Sequence, residues 1–404
     1  MKLAIVTPYP PSKVTLNEYA YHLVEQFKIK EDISEIVILS DDLPTGETYP
    51  TVEGGCPVSI KTCWSFNSFN NLFSIRKAIK SAKPDLVLYN IQFLSFGDSK
   101  IAATLGLLSP MVTRMSGIPS VALLHNIIET VDYESAGITS NPIMKWIFNL
   151  AGTIMTKIIL MSSMVALTMP KYVRILEKKY KAKNVALLPH GSFETPPVPS
   201  FDVPSGKKQI MTFGKFGTYK KVEEMIESVE IVRERTGEEL EIVIAGTDNP
   251  NVKGYLAGVE KKYSHVKDLR FTGYVEEEDV PVIFGDSTAV VFPYTSTTGS
   301  SGVLHQAGAY GKAVVLPNIG DLKELIEEEG YLGEYFQPGD INGLADAIEK
   351  LVIDDDHRRY IAEKNYAAAA SLPMSEVVDR YITHFHNLCG SKSSKTTSKQ
   401  AVLV

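Results

Sequence analysis

Of the 404 residues only three are cysteine (Cys56, Cys63 and Cys389) and two are tryptophan. An odd cysteine count without metal-ligand spacing gives neither a disulfide framework nor a zinc site, and fits a reducing, cytoplasmic setting. Positive charge is also short. Lysine and arginine number 41 against 48 aspartates and glutamates, a net charge of −7. The cationic footprint that a phosphate backbone requires is missing, so nucleic acid is not expected as a partner. No uninterrupted apolar run reaches the roughly 18–20 residues of a membrane span. The nearest, WIFNLAGTIMTKIILMSSMVALTM (146–169), is broken by Lys157 and several hydroxyls. It reads as a helix followed by a buried strand. The runner-up is an interfacial helix over 142–155 resting on a bilayer, a peripheral membrane contact. No Ser-His-Asp elbow, HExxH or Cys-His pairing occurs, and the acidic runs EEED (276–279) and DDD (354–356) read as solvated helix ends. No metal is therefore expected. The opening MKLAIVTPYPP reads as a buried first strand, not a signal peptide.

What the chain has is alternation. Short apolar runs at 3–7, 35–40, 58–62, 85–91, 120–126, 164–169 and 185–190 are separated by helical spacing such as EYAYHLVEQF (18–27). After a proline-rich stretch, ETPPVPSFDVPSGKK (194–208), the pattern restarts at 209–214, 241–246, 269–275, 289–294 and 313–317. Continuous apolar strands between helices make parallel sheets covered on both faces. The expected architecture is α/β: two doubly wound, Rossmann-like domains (1–193 and 209–373) joined by a linker (194–208) and facing across a cleft. A helix over 374–390 is expected to pack back on the first domain, and 391–404 reads as a disordered tail. Ligands in such sheets bind beyond the carboxyl ends of the strands.

Four segments there could carry chemistry. FGKFGTYKK (213–221) follows the first strand of the second domain. Gly214 would let the backbone turn, leaving Lys215 and Lys220 in a loop and at a helix start, where two ammoniums beside helix N–H groups suit a diphosphate; two solvated surface lysines are the plainer alternative. Thr298, Gly299, Ser300, Ser301 and Gly302 precede a helix over about 303–310. The first N–H groups of that helix are unpaired, and small side chains leave them open to an anion; simple capping by Ser300 or Ser301 needs only one of them. His125 ends a strand and could meet a sugar hydroxyl. Thr15 and Glu18 have capping-box spacing, so a helix should start there, with Thr15 and Asn17 on the acceptor side of the cleft.

With these residues placed, the chain resembles retaining glycosyltransferases of the GT-B fold, family four, over about 1–390. The family has a strand, then G-(R/K)-x-x-x-x-K, here Gly214, Lys215 and Lys220. It has an E-A-x-A-x-G-x-P-V-V segment, here QAGAYGKAVV (306–315), and a later P-G-D, here Pro338, Gly339 and Asp340. The resemblance implies that Lys215 and Lys220 hold a donor diphosphate and that Gly299 to Val303 present N–H groups to it. It also implies that the backbone near Tyr274 and Val275 meets the nucleobase and that His125 touches the transferred sugar. Two family carboxylates are replaced, by Thr298 and by Gln306; an amide at 306 can still bond ribose hydroxyls.

The implied activity is transfer of a hexose from a UDP- or GDP-sugar to a hydroxyl acceptor, a saccharide or lipid-linked glycan, with retention. The nucleotide sugar is a co-substrate, and no cofactor is expected. The alternatives are a nucleotide-sugar epimerase of the same fold and a non-catalytic relative that binds nucleotide sugar, the latter suggested by Thr298 and Gln306.

Overall fold

The computed structural model describes the chain except for residues 94, 98, 131–140, 194–196, 250, 251, 297–300 and 401–404. The chain divides into two compact units. One gathers the residues up to 131, 139–190 and those from 374 onward; the other takes 191–373.

The first unit holds a parallel sheet of β1 (Lys2–Val6), β2 (Glu35–Asp41), β3 (Val58–Trp64), β4 (Leu86–Ile91), β5 (Ser120–Leu124), β6 (Met164–Leu167) and β7 (Val185–Leu187). Their order across the sheet is β3-β2-β1-β4-β5-β6-β7. Every residue of β4 and β5 is buried, as a strand with helices on both faces requires. The edge strand β3 alternates half-buried and exposed positions. The chain order reverses between β1 and β4, so their carboxyl ends flank the crevice where doubly wound sheets bind ligands.

The second unit repeats the plan with β8 (Lys208–Phe216), β9 (Leu240–Asp248), β10 (Leu269–Gly273), β11 (Ser287–Val291), β12 (Ala313–Pro317) and β13 (Glu334–Phe336), ordered β10-β9-β8-β11-β12-β13. Here the reversal lies between β8 and β11. Ile210, Val229, Ile242, Val291, Val315 and Ile348 are among the side chains of its core.

Two departures from the sequence pattern concern elements. β13 was not expected; Glu334–Phe336 offers no continuous apolar run. The final helix runs Met374–Gln400, through residues expected to be disordered, since after Gly390 no proline interrupts its hydrogen-bond ladder. Its first turns belong to the first unit: Phe385 stacks on Phe27 of the helix Asn17–Phe27 with ring centroids 5.7 Å apart, and Asp379 pairs with Lys30 at 2.6 Å.

Candidate functional site

In the second unit, the site grows from the β8/β11 reversal. Strand β8 stays paired with β9 through Phe216, with Gly214 opposite Gly246 and Lys215 opposite Thr247. Gly214 therefore does not turn the chain, and Lys215 lies in the strand, not in the loop; continued pairing carries the ladder past the expected end. The turn comes at Gly217, whose N–H donates to the Lys220 carbonyl at 2.9 Å. The next helix begins at Glu223, so Lys220 precedes it.

Gly214 has another use. It sits at φ 134°, and a Cβ built there would lie 2.9 Å from the Lys220 Nζ. The glycine leaves the space that the ammonium occupies. The same ammonium lies 4.6 Å from the Tyr294 ring centroid and 5.9 Å from that of Tyr219. Tyr294 follows β11 and is buried, and burial raises its phenol far above the usual range. The ring is thus a neutral cation–π platform. Backbone pairing closes the cluster: Lys220 and Tyr294 form an isolated bridge, and Thr295 N–H donates to the Tyr219 carbonyl at 2.8 Å. Neither tyrosine was found from the sequence; the terminal Tyr of AVVFPY was its one trace.

The helix expected over about 303–310 spans Gly302–Ala309. Ser301 caps it, its Oγ accepting from the Leu304 N–H at 3.4 Å. Gly302 and Val303 start the helix and have no intrahelical acceptor for their N–H groups. Gln306 is buried, and the adjacent His305 accepts or donates at 3.0 Å to the Tyr331 hydroxyl, which anchors the helix from behind. Thr298, Gly299 and Ser300 lie outside the described residues. Tyr274 is exposed at 61%, and Val275 is half-buried.

The first unit builds a second cluster at its own reversal. His125, after β5, is only 8% exposed. Its Nε2 lies 2.6 Å from the Asn90 Oδ1, and Asn90 Nδ2 donates to Thr7 Oγ1 at 3.0 Å. Tyr19 meets the imidazole edge-on at 4.6 Å, and His190 lies 6.1 Å away. Burial, with His190 as a lesser cause, pushes the His125 pKa down to about 3. The ring is neutral, donates to Asn90 through Nε2–H and keeps Nδ1 as an acceptor. Beside it, the Asn126 Oδ1 is buried without a hydrogen-bond partner among the described residues.

The expected capping box does not form. Leu16, at φ 80°, stands at the N-cap without a side-chain cap, and Thr15 is exposed. The turn is held instead by Ser12, which donates to Asp41 at 2.6 Å, and by Asn17 Nδ2, which donates to the Ser12 carbonyl at 2.7 Å. Of the acidic runs, Asp355, Asp356 and Glu276 to Asp279 are exposed, and Asp354 caps the helix at His357.

Residues 207–354, which carry the Lys220 cluster and the Gly302 helix, match the family model of glycosyl transferases group 1. That segment is similar to the glycosyl transferases group 1 domain. No curated protein matches the chain. Among solved structures it is similar to sucrose-phosphate synthase (tll1590) from Thermosynechococcus elongatus, at 16% identity and a TM-score of 0.74, covering 97% of this chain and all of that one. Anabaena Alr3699/HepE in complex with UDP-glucose superposes at 15% identity and 0.67, covering 95% and 98%. A UDP-forming α,α-trehalose-phosphate synthase from Burkholderia xenovorans, in complex with glucose-6-phosphate, gives 11% and 0.67, covering 96% and 100%. At such identities the likeness concerns the fold. Both Rossmann-like sheets share that fold.

Proposed function

We propose that the chain transfers a hexose from a nucleoside diphosphate sugar to a hydroxyl acceptor, with retention of configuration and without a divalent metal. What supports this reading is the Lys220 ammonium, fixed over Tyr294 at the β8/β11 reversal of the segment that matches the group 1 model. In the reaction, the bond from the anomeric carbon to the diphosphate breaks and negative charge collects on the leaving oxygen. A preorganised ammonium, with the N–H groups of Gly302 and Val303, stabilises that charge without rearranging. The acceptor oxygen bonds to the anomeric carbon on the face the diphosphate leaves, and its proton passes to a diphosphate oxygen. Lys215 adds positive field from β8, Gln306 has the amide to bond ribose hydroxyls, and the neutral His125 offers Nδ1 to a sugar hydroxyl. Tyr274 and Val275 would meet the nucleobase, and Thr15 and Asn17 the acceptor. UDP-glucose, held by the Anabaena neighbour, is the first donor to try.

The test is UDP release from a panel of UDP- and GDP-sugars with saccharide and lipid-linked acceptors. Lys220→Ala is expected to lower kcat/KM by about 100-fold or more while the circular dichroism spectrum is unchanged. An undiminished rate in the folded variant would refute the assignment. Gln306, in place of a carboxylate, favours a second reading, a binding protein that does not turn over. It would show donor binding by calorimetry and no product with any acceptor, water included.

A further inference from the structure

The chain is acidic overall, yet three of its helical segments carry no carboxylate at all. Residues 66–83, 99–118 and 141–163 contain eight lysines and arginines and neither aspartate nor glutamate. They form the helices Asn71–Ala82, Lys100–Leu107, Ser109–Met115 and Pro142–Ile159. All belong to the first unit, where the last packs against the second and third, and the first packs against the same two. The middle pair of helices thus packs against both the first and the last.

That surface is apolar where it should be polar. Along Pro142–Ile159, Ile143, Trp146, Ile147, Leu150 and Ile154 repeat at helical spacing, and each is 42–70% exposed. The buried positions of the same helix are Gly152, Thr156 and Ile159. Among the described residues, Glu129 meets this helix on the buried side, where it accepts from Thr156 at 3.1 Å. On Asn71–Ala82 the exposed stripe is Phe73, Arg76, Lys77 and Lys80. Among the described residues, Arg76, Lys77, Lys80 and Lys157 are in no ion pair. No described helix is long and apolar enough to cross a membrane. An exposed apolar stripe that includes a tryptophan, on a unit that also exposes unpaired cations, is the pattern of a helix that lies in a bilayer surface.

We propose that this face of the first unit docks on an anionic lipid surface, with Ile143, Trp146, Leu150 and Ile154 entering the headgroup region and Arg76, Lys77 and Lys80 meeting lipid phosphates. Charge complementarity selects this occupant: a second copy of an acidic chain would bring the same cations against themselves. Docking needs no donor sugar, so it stands or falls separately from the transferase reading.

Flotation of the full chain with phosphatidylcholine vesicles, with and without about one third phosphatidylglycerol, tests it. Binding is expected to the anionic vesicles, to weaken with added salt, and to fall at least about tenfold in Trp146→Glu/Leu150→Glu and in Arg76→Glu/Lys77→Glu. All four side chains are exposed, so folding is preserved, and circular dichroism confirms it. Equal binding to both vesicle types, no binding to either, or unchanged binding of the variants would overturn the proposal. So would a dimer in sedimentation analysis that Trp146→Glu/Leu150→Glu dissolves without any vesicle binding by the parent; the occupant would then be a second copy.

Discussion

At His125, burial removes the charge an exposed imidazole gains near pH 6.5. The folded ring stays neutral down to about pH 3, whereas the unfolded ring takes up a proton below about 6.5. Because the folded pKa is depressed, the stabilising contribution is fully present above about 6.5. It is lost as pH falls toward 3, by up to about 1.4 kcal/mol per pH unit. Urea midpoints of the parent should therefore drop more steeply between pH 6.5 and 5 than those of His125→Gln; equal slopes would contradict the neutral, buried assignment. Residues of this kind were partly legible. His125 and Lys220 stood out because each follows a strand that the apolar pattern marks. Asn90 and Tyr294, which hold them, did not, since contacts between separate strands leave no local trace. Thr15 misled for the same reason: the turn obeys Ser12, Asp41 and Asn17, not the spacing from Thr15 to Glu18.

Elements were more legible, because continuous apolar runs define buried parallel strands directly. What the runs did not reveal was where pairing stops. β8 was expected to end at Gly214 but continues to Phe216, since β9 runs alongside it to Asp248. That extension depends on two facing glycines. A Cβ on Gly246, at φ 137°, would stand 1.9 Å from the Gly214 carbonyl oxygen. Gly246→Ala must push the strands apart just where Lys220 is placed. It is expected to destabilise the second unit by about 3 kcal/mol or more, from backbone strain plus overlap. Urea unfolding measures this, and a loss under about 1 kcal/mol would mean that the strands separate freely. Three-residue β13 was missed because Glu-Tyr-Phe offers no continuous apolar run.

For the whole molecule, the two-sheet plan follows from counting strands on either side of the proline-rich stretch. The return of the chain to the first unit rests on aromatic contacts. Phe385 is fully buried between Phe27 and Tyr381. Phe385→Ala should cost about 3–5 kcal/mol and lower the melting transition of the first unit while leaving that of the second in place; calorimetry distinguishes them. A single shifted transition would mean that both units melt together.

The way the second unit leaves and rejoins the first has a practical side. Ser192 N–H donates to the Leu372 carbonyl at 2.9 Å, its Oγ donates to the Ala369 carbonyl at 2.7 Å, and Ser192 bridges Pro373. Entrance and exit are thus tied side by side like the neck of a pouch. The second unit is an insert with a closed mouth, and a graft that swaps it for a relative's would need to splice only at that knot.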